Sequence, residues 1–248
     1  MRPHVLLLRP PDSGPGPLSE VAVVAHIPVV VVEPLPGSVE RVASLLGGCD
    51  WLVLTSPRAP RMLSSLAPEI RRLQQQGRLR IAAVGPKTRA ALEALGLRVD
   101  YVPREYRGAA LARELLSLQP RPRCALIPRS EKAVPDLVRV LRENKVEALE
   151  IPLYRVLEDE PMARAAASVA DLFDYVVFTS PSIVEAFTRH YPRPGSPGFT
   201  PVAIGPTTAS KMRELGYPRP LTPESYTLEA VAELVARHWE AKTRGGRA

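Results

Sequence analysis

The chain has 248 residues, 45% hydrophobic and 24% charged, with a formal net charge of +7. That length suits two cores of about 100–150 residues each and excludes a single small stapled domain, while the composition excludes a disordered chain or a collagen. Aromatic residues make up only 5%, so the cores must be built from Val, Leu, Ile and Ala, as in parallel sheets covered by helices.

In chain order, residues 1–4 lead into an apolar run at 5–8 followed by Arg9, too short for a secretion signal. The longest apolar stretch, 21–32, contains His26 and Pro28 and is too short to span a membrane; a cytoplasmic location and no membrane partner are expected. Strands are predicted at 5–8, 51–54 and 81–84, then at 125–127, 175–178 and 202–204. Helical patterns occupy 89–95, 109–118, 136–142 and 228–239. This βα alternation predicts parallel sheets with helices on both faces. Two proline-marked segments, 28–36 and 147–157, read as extended crossings between domains, because Pro34 and Pro36 disfavour a central strand position. The run Glu158-Asp159-Glu160 reads as a solvated loop, and 237–247 as a frayed basic tail. Cys49 and Cys124 sit at expected strand entrances and read as two buried thiols, with no disulfide or zinc cluster.

The most informative feature is an internal duplication. Asp50-Trp51-Leu52-Val53-Leu54-Thr55-Ser56-Pro57 returns as Asp174-Tyr175-Val176-Val177-Phe178-Thr179-Ser180-Pro181, and Gly85-Pro86-Lys87-Thr88 returns as Gly205-Pro206-Thr207-Thr208. Each second motif is followed by a helix closing on Leu-Gly, at Gly96 and Gly216, and by a tyrosine 21 residues beyond the first glycine, Tyr106 and Tyr226. Arg9 and Arg129 follow equivalent strands. A unit of this size is one domain rather than a solenoid repeat. Two similar α/β domains are therefore expected, joined by a two-segment antiparallel ladder.

Ligands of parallel α/β sheets bind where strands end and helices begin, because the first helical amides lack partners and the helix dipole is positive there. Ser56 and Ser180 are candidate N-caps, with Pro57 and Pro181 at N1. Pro60 would remove an early bond of the first helix, so that helix is expected to start late or irregularly. Gly85 and Gly205 would let backbone approach a ligand, flanked by Thr88, Thr207 and Thr208. Each motif alone is an ordinary helix cap; both motifs in both copies favour binding. His4, His26, His190 and His238 lack metal spacing, and no dinucleotide fingerprint or P-loop is present. The 28 arginines among 33 basic residues favour an anionic partner. Nucleic acid is not expected, since no recognition signature accompanies the charge and no appended recognition domain is expected before Ala248. With 28 prolines and few Asn or Gln, the composition also suits a thermophile.

Strand-Thr-Ser-Pro at 55–57 and 179–181, Ile204-Gly205-Pro206-Thr207-Thr208-Ala209 with a helix ending at Leu215-Gly216, and Ile151-Pro152-Leu153-Tyr154 together resemble the uroporphyrinogen-III synthase family. The resemblance spans essentially the whole chain and is most specific between Tyr154 and Tyr226. It implies two flavodoxin-like parallel-sheet lobes, 1–34 plus 154–248 and 35–153, joined by linkers at about 29–36 and 148–157 in a two-stranded antiparallel ladder. It further implies a cofactor-free, monomeric, cyclising lyase in haem biosynthesis. Its substrate would be linear hydroxymethylbilane, handed over by the preceding deaminase. Water is lost, and ring D is inverted through a spiro intermediate in the interdomain cleft. The residues this implies are Tyr154 as general acid and Thr208, Ser180 and Thr88 at cleft positions that bind or position carboxylates; the duplicated junctions add Thr55, Ser56, Gly85, Pro181, Gly205, Thr207, Arg9 and Arg129 as substrate-binding candidates. The arginines rest on the duplication alone. A non-catalytic two-lobe binder of an anionic metabolite would share every helix-terminus feature.

Overall fold

The computed structural model describes residues 2–11 and 14–245. Its elements are β1 (His4–Leu8), α1 (Leu18–Val21), β2 (Val23–His26), β3 (Val30–Pro34), α2 (Ser38–Leu46), β4 (Trp51–Leu54), α3 (Arg58–Met62), α4 (Ala67–Gln75), β5 (Arg80–Ala83), α5 (Pro86–Glu93) and α6 (Gly108–Leu116). They continue as β6 (Cys124–Ser130), α7 (Asp136–Glu143), β7 (Glu147–Glu158), α8 (Glu160–Val169), β8 (Tyr175–Phe178), α9 (Pro181–Thr188), β9 (Thr200–Ala203), α10 (Pro206–Glu214) and α11 (Leu228–Gly245). The chain divides into two compact units, Met1–Val32 with Val156–Ala248, and Glu33–Arg155.

The first unit holds a sheet in the order β2-β1-β8-β9, every pair parallel. Alternate residues of its strands face opposite layers, as the two-residue period of a strand requires. Leu6, Leu8, Val176 and Phe178 pack with Ala163 of α8, Phe187 of α9 and Met212 of α10. Val5, Leu7, Tyr175 and Val177 pack with Leu18 of α1 and with Val231 and Val235 of α11. Both faces are covered, so the strands read as continuous apolar runs; each fully buried Val or Leu contributes about 1.5–3 kcal/mol. Aromatics are few but not evenly spread. Phe178, Phe187, Tyr191, Phe199 and Tyr217 form one cluster with ring centroids 5.3–6.5 Å apart, set within the Val, Leu, Ile and Ala that make up most of this layer.

The second unit's sheet runs β3-β7-β6-β4-β5. Strands β7, β6, β4 and β5 are parallel neighbours. Trp51, Val53, Ala125 and Ile127 bury one face against Leu111 and Leu115 of α6 and Leu137 and Leu141 of α7. β3 takes the edge, where Pro34 costs no ladder bond. The Leu35 amide donates to the Leu153 carbonyl and the Asp159 amide to the Val29 carbonyl, the register of an antiparallel pair. The segment expected as a separate crossing, 147–157, is a strand of 12 residues that pairs with β6 as well as β3. Pro152 is accommodated opposite Arg129, next to a register shift between Arg129 and Ser130.

The duplication repeats at the level of single hydrogen bonds. Asp50 accepts from the Cys124 amide at 2.7 Å and Asp174 from the His4 amide at 2.8 Å, each pinning the start of the neighbouring strand. Isolated parallel bridges join Ala82 to Tyr101 and Val202 to Leu221. The recurring Asp is thus a strand anchor.

Three expectations are corrected. Cys49 and Cys124 form a disulfide: one precedes β4, the other opens β6, and pairing of these strands brings residues 75 apart in sequence to a Cα separation of 4.7 Å. Glu158-Asp159-Glu160 is not a solvated loop. Glu158 ends β7 and binds Arg189 and His190, Asp159 caps α8 by accepting from the Met162 amide, and Glu160 pairs with Arg164. The basic tail continues α11 through Gly245, with residues 246–248 outside the described residues. Among the described residues no helix is long and apolar enough to cross a membrane.

Candidate functional site

Parallel strands deliver their following residues to one end of each sheet. In the first unit that end gathers Arg9 after β1, Thr179, Ser180 and Pro181 after β8, and Gly205 with Thr207 and Thr208 after β9. In the second it gathers Thr55 and Ser56 after β4, Gly85 and Thr88 after β5, and Arg129 and Tyr154 near the ends of β6 and β7.

The first-unit junctions are built as helix N-termini. Ser180 is the N-cap of α9, its Oγ accepting from the Ile183 amide at 3.4 Å and lying 3.0 Å from Ser182 Oγ; Pro181 occupies N1. Thr179 Oγ1 donates to the Leu8 carbonyl at 2.8 Å, tying the ends of β8 and β1 together. Pro206 opens α10, leaving Thr207 exposed and Thr208 buried on the first turn. Amides with no helical acceptor and a positive dipole end make such a turn receptive to carboxylates.

The second-unit copy departs from this at Ser56. The helix after β4 is only the five-residue α3, its N-cap is Pro57, and no side chain caps it. Pro60 within the run removes the amide that a regular first turn would use, and the chain passes through a short 3-10 turn at Ser64–Leu66 before α4. Ser56 is therefore not an N-cap. Its hydroxyl instead lies 3.1 Å from the Tyr154 hydroxyl, while the Arg58 guanidinium sits over the Tyr154 ring at 5.5 Å from its centroid. Tyr154 itself is 4% exposed. α5 restores the pattern: Pro86 opens it, and Thr88, buried like Thr208, sits on its first turn.

The two repeated glycines serve a common contact by different means. Gly85 has φ +86°, a conformation that favours glycine, whereas Gly205 is extended at φ −171°. At both a tyrosine ring lies against the glycine, and at Gly205 the missing side chain is what makes room for it. A Cβ on Gly85 would lie 3.5 Å from Tyr106 Cγ, and one on Gly205 only 3.1 Å from Tyr226 Cγ. Both tyrosines are 62% exposed. Sequence reasoning assigned the glycines to ligand approach and left these tyrosines unassigned; their constant spacing from the glycines was the signal that could have found them.

The arginines do not form an equivalent pair. Arg9 is half-buried and donates through Nη1 to the Gly14 carbonyl at 2.8 Å. Arg129 lies within β6, is 3% exposed, and donates through Nη2 to the Ala133 carbonyl at 2.7 Å beside Glu150 at 3.6 Å. Its side chain is held inside the second unit, unlike that of Arg9. The histidines serve structural partners: His190 meets Glu158 at 2.8 Å and His238 meets the Tyr175 hydroxyl at 2.8 Å. Burial, with Asp174 adding to it, pushes the Tyr175 hydroxyl up to about 12.

A family model described as uroporphyrinogen-III synthase HemD matches residues 19–233. The chain is 26% identical over 247 residues to a porphyrin biosynthesis protein HemD of Ruminiclostridium josui, covering 92% of this chain but 47% of that relative, so it spans about half that protein's length. A putative uroporphyrinogen-III synthase of Methanothermobacter thermautotrophicus is 29% identical over 201 residues, 75% of this chain and 77% of that one. The fold is similar to that of a mutant uroporphyrinogen III synthase from the extremely thermophilic bacterium Thermus thermophilus, with TM-score 0.65, 20% identity and coverage of 97% and 99% of the two chains. It is similar to the same degree to uroporphyrinogen-III synthetase of Helicobacter pylori, with TM-score 0.64, 17% identity and coverage of 96% and 100%. With the duplicated junctions and a family match over most of its length, the chain belongs to the uroporphyrinogen-III synthase family.

Proposed function

We propose that the chain converts linear hydroxymethylbilane to uroporphyrinogen III, losing water and inverting ring D through a spiro intermediate. The observation that carries this reading is the recurrence of one junction, a glycine under an exposed tyrosine beside a threonine-bearing helix N-terminus, in both units of a chain of this family.

The substrate bears acetate and propionate groups on every pyrrole. Helix N-termini of α5, α9 and α10 offer amide donors to several of these, and the exposed faces of Tyr106 and Tyr226 suit flat apolar rings. The net charge of +7 draws the polyanion in. The lone pair of the pyrrole nitrogen expels the hydroxyl of the hydroxymethyl group, which leaves as water once it accepts a proton. The substituted carbon of ring D then attacks the resulting azafulvene to form the spiro centre. The protein's principal task is to hold the two ends of the chain in register, an effect worth up to about 7–11 kcal/mol.

Tyr154 is the proposed proton donor to the departing hydroxyl, its own hydroxyl oriented by Ser56. The chain acts as a monomer and without a cofactor, on substrate released by the preceding deaminase. The test is incubation with freshly generated hydroxymethylbilane. Isomer III in excess over the spontaneously formed isomer I is the expected product; isomer I alone refutes catalysis and leaves a binding protein.

A further inference from the structure

The second unit has a cavity of about 400 Å3 at the opposite, N-terminal edge of its sheet, within the ~300–1,000 Å3 of small-ligand sites. Four arginines line it, Arg78, Arg80, Arg121 and Arg123, together with Gly47 and Asp50. The topology converges them. Arg80 opens β5, Arg78 precedes it, and Arg121 and Arg123 lead into β6. Three of the guanidinium groups are held by neighbouring groups: Arg78 Nη2 donates to the Gly47 carbonyl at 3.3 Å, Arg121 Nη2 to the Asn144 carbonyl at 2.8 Å, and Arg80 lies over the Trp51 ring at 5.8 Å.

The one acid there is already engaged, because the Asp50 carboxylate accepts from the amides of Arg123 and Cys124. Among the described residues none of the four guanidinium groups is paired with a carboxylate. Four cations facing one cavity repel each other, and steadying their forks removes part of the entropy that binding would otherwise lose. Guanidinium forks match the paired oxygens of phosphate and carboxylate. We propose that this cavity is a second site, separate from the synthase junctions, for a compact oxyanion carrying two or more negative charges.

Gly47 permits a clean probe. It ends α2 with φ −73° and ψ −14°, which any residue adopts, and a Cβ there meets nothing within 4 Å. Gly47→Glu sets a carboxylate among the arginines without backbone strain. Titration calorimetry of the full chain with inorganic pyrophosphate at fixed ionic strength should show one saturable site. Binding should weaken more than tenfold in Gly47→Glu and in Arg121→Gln/Arg123→Gln, and remain unchanged in Ala165→Glu, at an exposed position of α8 in the first unit. Citrate run in parallel separates a phosphate source from a carboxylate one by which binds tighter. No saturable binding of either anion at millimolar concentration, or equal binding by the wild type and both cavity variants, overturns the proposal. The test reads binding alone, so failure of the isomer assay would leave it standing.

Discussion

A single absent Cβ decides where the Tyr226 ring rests. At Gly205 the backbone is extended and would accept any residue, so only the 3.1 Å approach to the ring requires glycine. At Gly85 the approach is an ordinary 3.5 Å and the positive φ carries the requirement. Gly85→Ala is therefore expected to lose about 1–3 kcal/mol in chemical denaturation, the cost of placing a Cβ at φ +86° and ψ 165°, a conformation essentially confined to glycine. Gly205→Ala should lose less but should displace Tyr226 and weaken product binding. Equal losses at the two sites would show that the positive φ at Gly85 is not what separates them. For Tyr154→Phe, turnover should fall by up to about 10²-fold, the lower end of what a general acid contributes, with the fold retained; unchanged turnover removes Tyr154 from the chemistry. The residue types at both junctions were legible in the sequence. What was not legible is where their side chains point: Ser56 turns from a helix cap to Tyr154 because Pro60 spoils the helix, and the two hydroxyls lie 98 residues apart.

At the scale of elements, the turn between α8 and β8 is held by one carboxylate. Asp171 accepts from the Tyr191 hydroxyl at 2.5 Å, from the Gly198 amide at 3.0 Å, and from Arg193. The Tyr191 bond foremost, against the opposing effect of burial and with help from the Gly198 amide and Arg193, holds the Asp171 carboxyl below its usual range. A folded-state pKa below the unfolded one gives stability that is complete above the unfolded value and is lost as pH falls through the folded value. Asp171→Ala should thus cost about 1–2 kcal/mol near neutral pH, the lower part of the range for charged hydrogen bonds because the side chain is 33% exposed. The difference from wild type should shrink below about pH 4; a difference independent of pH would mean that the carboxylate's charge is not responsible. Strand and helix periodicity was readable here, and Ser180 caps its helix as its spacing suggested. The role of β7 was not readable, because pairing with β6 on one side and β3 on the other depends on register that a proline-marked sequence does not reveal. Nor was the disulfide, since strand pairing rather than cysteine spacing brings Cys49 to Cys124.

Across the whole molecule, duplication is the organising fact. It was visible as two motifs recurring at 120–124 residues, and it returns as matched strand anchors, bridges and tyrosine-covered glycines. It does not guarantee equal chemistry: Arg129 is enclosed where Arg9 is half-buried, and α3 is five residues where α9 is eight. The central proposal is that the duplicated junctions of both copies bind the tetrapyrrole. Hydrogen exchange with and without uroporphyrinogen III, under anaerobic reducing conditions, tests it most directly. Product should slow exchange of the first-turn amides at 85–88 in one unit and at 180–183 and 205–208 in the other, with the same concentration dependence. Protection confined to one unit would contradict it.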